Sequence, residues 1–108
     1  MNSKVASLGS VAALVESKRE PAEQGRPMST VIRERIREAG KRFHANDNIA
    51  EFIHSPAERD ALRDEVTRAM ERVLDALVID VEADHNTRDT ARRVAKLYLD
   101  EVFAGRYV

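Results

Sequence analysis

The longest regular pattern in the chain begins at Ser55 and restricts the residues after it to a long amphipathic helix. Ser55 suits the N-cap, Pro56 occupies the first helical position, where its missing N–H costs nothing, and Glu58 is placed to reach back to the cap. Apolar side chains then recur at steps of four, three, four and four residues: Leu62, Val66, Ala69, Val73 and Leu77. Because this spacing places them on one face, we predict a helix over residues 56–78.

A shorter amphipathic pattern precedes this segment. Ser29 or Thr30 offers an N-cap, and four apolar residues fall at i, i+4, i+7 and i+11: Ile32, Ile36, Ala39 and Phe43. The pattern predicts a helix over residues 30–44, weakened by about 1 kcal/mol at Gly40 relative to alanine.

A third pattern runs from Thr90 to Gly105. Thr90 suits an N-cap, Gly105 suits a left-handed helix stop, and an apolar row lies between them: Val94, Tyr98 and Val102. We predict a helix over residues 91–104 that folds back on the helix over 56–78, since the acidic connection 79–90 is long enough to reverse the chain. The predicted class is all-α, an antiparallel helical hairpin preceded by a shorter helix. The core of this hairpin is small, so we expect the hairpin to need contact with another protein surface to be fully stable.

The first part of the chain has a different composition. Residues 17–27 carry charges, prolines and a glycine with almost no apolar side chains, so burial cannot offset the cost of ordering them. Serine and glycine interrupt the apolar patch at 5–15, which is unlike a signal peptide. We predict a flexible tail and linker over 1–28 and one helical region over 29–108.

The amino-acid composition excludes several classes of function for this chain. The chain has 108 residues, 34% of them charged, a formal net charge of −1 and no cysteine, which excludes disulfides and thiolate chemistry. No stretch reaches the about 20 apolar residues of a membrane span. In the stretch 33–42, basic residues alternate with acidic and apolar ones, as on the solvent-facing side of an amphipathic helix. This pattern favours docking on an acidic protein surface over binding to nucleic acid. We expect a cytoplasmic protein with no nucleic-acid or membrane partner.

No side-chain pattern points to chemistry within this chain. His44, His54 and His85 lack the i, i+4 spacing that would place two imidazoles on one helical face for a metal. The carboxylates lie beside basic residues on polar faces, and the four glycines are scattered, so neither an acid–base pair nor a phosphate loop is predicted. We therefore assign no catalytic, cofactor-binding or metal residues.

The residues of the third pattern resemble a known motif. Thr90-Ala91-Arg92-Arg93-Val94-Ala95-Lys96-Leu97-Tyr98, followed by Glu101, Phe103 and Gly105, is similar to the Thr-Pro-x-Arg-Val-Ala-Lys-Met-Tyr and Glu-x-Phe-x-Gly run of the GTP cyclohydrolase I family. Ala91 stands in place of the usual proline and Leu97 in place of methionine, and both changes are physically mild. With the preceding helix and connection, the resemblance covers about the C-terminal half of the chain.

The resemblance implies a function for the complete enzyme rather than for this segment. Members of the family convert GTP and water to 7,8-dihydroneopterin triphosphate and formate, the entry to tetrahydrofolate and pterin synthesis, a part of one-carbon metabolism. They use zinc held by two cysteines and a histidine in a tunnelling-fold domain that assembles into rings. Those residues come after the matched run, so this chain offers no position for the zinc ligands.

Two functions are therefore expected. In the first, the chain is the N-terminal helical segment of a GTP cyclohydrolase I, supplies packing and subunit assembly as a homo-oligomer or against the catalytic domain, and is inactive alone, without a cofactor of its own. In the second, it is a stand-alone helical interaction module that docks to itself or to a partner. The docking stripe in that case would be Val66, Val73, Leu77, Val94 and Tyr98.

Overall fold

The computed structural model describes residues 25–108, and every regular element in that range is a helix. The elements are α1 (Met28–Glu38), a 3₁₀ turn (Ala50–Phe52), α2 (Pro56–Ala76), α3 (Thr90–Leu97), a π-helix (Tyr98–Val102) and α4 (Ala104–Tyr107). The predicted all-α class is confirmed. The flexible tail predicted over 1–28 falls almost entirely outside the described residues.

The first helix is shorter than predicted, because Gly40 ends it. Gly40 has a φ of 67°, in the left-handed region. Its N–H donates to the Arg37 carbonyl at 3.0 Å, and the Lys41 N–H donates to the Ile36 carbonyl at 3.1 Å. This pair of hydrogen bonds is the Schellman motif, which closes a helix with glycine as the first residue beyond the cap. The predicted continuation to residue 44 was therefore wrong. The predicted N-cap was also wrong, since α1 begins at Met28 and Pro27, not Ser29 or Thr30, holds the cap position.

The second helix begins as predicted and ends slightly earlier. The Ser55 hydroxyl accepts a hydrogen bond from the Glu58 N–H at 3.1 Å. The Glu58 carboxylate reaches back one residue beyond the cap and accepts from the His54 N–H at 2.8 Å. At the other end, α2 stops at Ala76 because Val78 has a φ of 65°, which is not helical.

The third predicted helix is broken rather than continuous over 91–104. After α3 the backbone widens into a π-helix, in which the Phe103 N–H donates to the carbonyl of Tyr98, five residues earlier, at 2.9 Å. Phe103 then leaves the helical conformation, with φ −115° and ψ 35°, before α4 begins. The apolar row therefore turns away from a straight helical face after Tyr98.

Both predicted ends of the third helix were also wrong. Asp89, not Thr90, is the N-cap residue, and it makes no side-chain capping hydrogen bond. Gly105 lies inside α4 and does not adopt a positive φ. A helical backbone at Gly105 leaves no need for a glycine there, in contrast to Gly40.

The helices pack around α2. Both α1 and α3 contact it. The Arg59 guanidinium, near the start of α2, lies 3.6 Å from the Asp100 carboxylate, beyond the end of α3, so the two helices are antiparallel, as predicted. The buried cluster at this end consists of Ile32, Ile36, Ile49, Leu62 and Leu99. We call this part of the molecule, around the first half of α2, the core end.

The face that α3 presents to α2 differs from the predicted row. Ala91, Ala95 and Leu99 are buried, with Ala95 fully inaccessible to solvent. Tyr98 and Val102, from the predicted row, are exposed. Both rows have a spacing of four, but small side chains allow two helices to approach closely. The alanines therefore make the contact, and the larger side chains remain on the surface.

Candidate interaction surface

The apolar row of α2 is covered at one end only. Leu62 is buried and Val66 packs partly against the core. Farther along the same row, Val73 is 49% exposed and Leu77 is 63% exposed. We call the half of α2 from Val66 to Ala76, with the connection after it, the outer end.

The position of α1 explains this difference. The Ser29 N–H, in the first turn of α1, donates to the Glu65 carboxylate at 2.8 Å, and the Ser29 hydroxyl also contacts that carboxylate. One and a half turns later, the Arg35 guanidinium meets Glu58. Helix α1 thus runs antiparallel to α2 and starts level with Glu65, so the row beyond that level has no cover from α1.

The outer end closes on a strained residue. The Val78 N–H donates to the Asp75 carbonyl at 2.9 Å, and the Ile79 N–H donates to the Leu74 carbonyl at 3.2 Å, which is again a Schellman motif. Here a valine holds the left-handed position, with φ 65°, at a cost of about 1–2 kcal/mol. Because Val78 is 91% exposed, contacts within the described chain offset little of that cost.

A second exposed apolar group lies on the π-helix. The rings of Tyr98 and Phe103 are stacked, with centroids 6.1 Å apart and planes 22° from parallel. Val102 and Leu97, beside them in sequence, are also exposed. These four are the exposed large apolar residues of the run that resembles the cyclohydrolase motif, and we call them the aromatic shelf.

At the core end, by contrast, the charged side chains are paired. Arg35 binds both carboxylate oxygens of Glu58, at 2.6 and 2.8 Å, and donates to the Phe52 carbonyl at 2.9 Å. The Arg35 guanidinium lowers the pKa of Glu58 from its usual 4.5 to about 2, helped by the N–H of His54 and opposed by burial. This ion pair ties α1, the 3₁₀ turn and the start of α2 together.

The C-terminal segment is anchored to the same end. The Arg106 guanidinium donates to the carbonyls of Asp47 at 3.0 Å and Phe43 at 3.4 Å, and also to that of His44. In return, the Ile49 N–H donates to the Arg106 carbonyl at 2.7 Å. Arginine satisfies several carbonyls at once because its guanidinium carries five donors. Residues 43–49, which form no helix, are held in place by these contacts.

The loop that Arg106 binds is further closed by a surface ion pair. Asp47 accepts two hydrogen bonds from the Arg42 guanidinium, at 2.8 and 2.9 Å, and one from the His44 N–H at 2.8 Å. Arg42 lowers the pKa of Asp47 to about 2. The carboxylate is therefore ionised throughout the neutral range.

A cleft of about 650 Å³ lies at the outer end. It is lined by Arg68, Glu71, Arg72, Asp75, Ile79, Val81, Glu82 and Arg88. Basic and acidic residues are equal in number along its wall, so the cleft favours neither an anion nor a cation.

The described residues contain no metal-binding cluster, and their three histidines lie far apart along the chain. Within 25–108, no group of three or more histidine or carboxylate side chains could hold a metal ion. His44, His54 and His85 lie in three separate connecting segments. No helix in this range is long and apolar enough to span a membrane. The exposed large apolar residues of the described chain fall in two groups, the outer end of α2 and the aromatic shelf.

Comparison with known proteins identifies no relative of this chain. The chain matches no protein-family model, no curated protein and no solved structure. The resemblance to GTP cyclohydrolase I therefore rests on the residues of the run between Thr90 and Gly105.

Proposed function

We propose that this chain is the N-terminal helical segment of a GTP cyclohydrolase I, and that it supplies helical packing and subunit assembly. The observation that carries the proposal is the exposure of the motif itself. Of the residues that carry the resemblance, Ala95 is buried, whereas Tyr98 and Phe103 lie on the surface. The fold of the chain does not require large apolar side chains there, but a protein surface that packs on them would.

The proposal assigns the chemistry to the complete enzyme. GTP and water would be converted to 7,8-dihydroneopterin triphosphate and formate at a zinc site outside this segment, in the synthesis of tetrahydrofolate. The segment alone is proposed to be inactive and to hold no cofactor. A cytoplasmic location, and the absence of nucleic-acid and membrane partners, belong to the same proposal and are supported by the balanced charge and the lack of cysteine.

Co-assembly tests this proposal. The chain would be co-expressed with a GTP cyclohydrolase I catalytic domain that lacks its own N-terminal helices, and the complex would be measured by size-exclusion chromatography and pterin fluorescence. We expect the chain to co-elute with the catalytic domain and to raise its activity. Phe103→Asp should abolish co-elution because it places a charge in an apolar contact.

Val108→Asp is the matched control, since Val108 is 68% exposed and lies outside the motif. Co-elution that survives Phe103→Asp, or that Val108→Asp abolishes equally, would contradict a role for the aromatic shelf. No co-elution of the wild-type chain would contradict the proposed function.

The second candidate is a stand-alone helical interaction module. It is favoured by the core end, where a buried cluster and the contacts of Arg35 and Arg106 close a small core within the described residues. In that case the chain would dock to itself or to another partner through its exposed apolar residues. A wild-type chain that folds cooperatively but does not bind the catalytic domain would support this candidate over the first.

A further inference from the structure

A small apolar pocket lies within the core end, between α1, α2, the loop 43–49 and the C-terminal residues. It has a volume of about 240 Å³. Its inner wall consists of four buried aliphatic side chains: Ile32, Ile36, Ile49 and Leu62. Because the wall is drawn from separate parts of the chain, no local sequence pattern predicts the pocket.

The rest of the apolar lining lies nearer the surface. Phe43, Val66 and Tyr107 complete it and are half-buried. An unfilled apolar space loses the dispersion contacts that a bound molecule restores, and a cavity of about 150 Å³ is enough for benzene. At about 30 Å³ for each methylene-sized group, the pocket has room for an apolar body of about eight carbons.

The polar part of the lining is basic and contains no carboxylate. Its members are Ser29, Arg33 and Arg106. Ser29 gives both its N–H and its hydroxyl to Glu65, which is not part of the lining. The cleft at the outer end, by contrast, has as many acidic as basic residues. Of the two concavities, the pocket is therefore the one whose charge favours an anion.

The two arginines of the pocket differ in what they offer a ligand. Arg106 donates to three loop carbonyls, which are neutral and leave its positive charge in place. Arg33 is half-buried and makes no hydrogen bond or ion pair with another described residue. A guanidinium binds a carboxylate through two parallel N–H groups. Arg33 is thus placed to bind an anionic group, and Arg106 adds to the attraction.

We propose that this pocket binds a small amphipathic organic acid, with an apolar body of about eight carbons against the buried aliphatic wall and a carboxylate paired with Arg33. The site goes beyond the assembly role proposed above, and none of its lining residues belongs to the aromatic shelf. The ligand would contact α1, α2, the loop and the C-terminal residues together. It would therefore stabilise the folded chain.

Octanoate is the probe for this site. The full-length chain would be titrated with it and followed by calorimetry and by heteronuclear NMR. We expect saturable binding with a Kd below about 1 mM, with the largest shift changes at the amides of Ile49 and Tyr107. Octanol has the same chain without a charge and octylamine has the opposite charge, so both should bind about tenfold or more weakly.

Three variants locate the site. Arg33→Gln should weaken octanoate binding about tenfold or more and leave octanol unchanged, because it removes the charge and keeps the apolar wall. Arg72→Gln is the matched control, since the Arg72 guanidinium is also unpaired among the described residues but lines the outer cleft. Val66→Phe fills the pocket and should abolish binding. Circular dichroism would confirm that each variant is helical.

Several results would overturn the inference. Octanol that binds as tightly as octanoate, or an unchanged affinity in Arg33→Gln, would remove the recognition of an anion. Binding that survives Val66→Phe, or shift changes confined to the aromatic shelf and the outer end, would place the ligand elsewhere. Nuclear Overhauser contacts from residues 1–24 to Phe43 or Tyr107 would show that the chain fills its own pocket. The inference also fails if octanoate does not bind saturably up to about 10 mM.

Discussion

The two ends of α2 have the same apolar row but different surroundings. At the core end, Leu62 is buried and the arginines are bound: Arg35 to Glu58 and Arg59 to Asp100 and the carbonyl of Tyr107. At the outer end, Leu77 is exposed, and the guanidinium groups of Arg68 and Arg72 make no hydrogen bond or ion pair with another described residue. Beyond the level where α1 begins, the apolar row of α2 is thus exposed at Val73 and Leu77, and the arginine side chains of the helix are unpaired among the described residues.

This difference shows that helical periodicity identifies the apolar face of a helix but does not identify what packs on that face. The row on α2 predicts burial along its full length, yet among the described residues α1 covers only the first half of it. The remaining half has the composition of a buried face and the exposure of a surface. We expect substitutions at the two ends to separate folding from association.

The largest expected effect distinguishes the two ends directly. Ile36→Ala at the core end removes most of a fully buried side chain and should lower the free energy of unfolding by about 2–5 kcal/mol. Leu77→Ala at the outer end should change it by less than about 0.5 kcal/mol, because the side chain is already largely in water. Urea unfolding followed by circular dichroism, at a concentration low enough to keep the chain monomeric, measures both. Comparable losses of unfolding free energy in the two variants would show that Leu77 packs against another part of the same chain.

The next effect concerns the ion pair of the core end. Glu58→Gln should lower the free energy of unfolding by about 2 kcal/mol at pH 7, because Arg35 loses a charged partner. Since the pKa of Glu58 is lowered from 4.5 to about 2, its contribution is fully present above pH 4.5 and is lost as the pH falls towards 2. The difference between wild type and variant should therefore shrink between pH 4.5 and 2.

Glu71→Gln provides the control for this pH dependence, because Glu71 is exposed on α2 at the outer end. Its effect should be small at both pH values when the chain is monomeric. A difference between wild type and Glu58→Gln that stays constant from pH 7 to pH 2 would contradict the role given to the Arg35–Glu58 pair.

Two glycines should respond oppositely to the same substitution. Gly40→Ala forces a side chain into the left-handed region and should cost about 1–2 kcal/mol. Gly105→Ala should be neutral or stabilise by up to about 1 kcal/mol, because its backbone is helical and nothing lies within 4 Å of the added carbon. Thermal unfolding of the two variants compares them. A loss at Gly105 equal to that at Gly40 would contradict the helical conformation of Gly105.

These glycines also show what the sequence could predict and what it could not. Periodicity predicted three helical regions, the start of α2 at Ser55 and the antiparallel hairpin. It placed the glycine stop at Gly105 rather than Gly40, because a glycine permits a left-handed turn without requiring one. The choice depends on whether the next residues can bind the last helical carbonyls, as Lys41 does.

The contacts of α3 and of the arginines at the core end could not be predicted from any local sequence pattern. Ala91 and Ala95 were missed as the packing face because larger apolar residues stand beside them, and close approach of helices favours the smaller ones. Arg106 binds carbonyls about sixty residues earlier, and Arg35 binds a carboxylate 23 residues later. The exposed residues Val73, Leu77 and Tyr98 were named in advance as a docking stripe, and their occupant remains a prediction.

The smallest expected effect tests the strain at the outer end. Val78→Gly removes the cost of a β-branched residue in the left-handed region but adds freedom to the unfolded chain, so a net gain of about 0.5–1 kcal/mol is expected in the monomer. Val73→Gly, five residues earlier within α2, should instead lose about 0.5 kcal/mol, because there the backbone is helical and glycine is a poorer helix former than valine. Urea unfolding of the dilute chain measures the two variants side by side. A loss of stability in Val78→Gly equal to that in Val73→Gly would contradict the left-handed conformation of Val78.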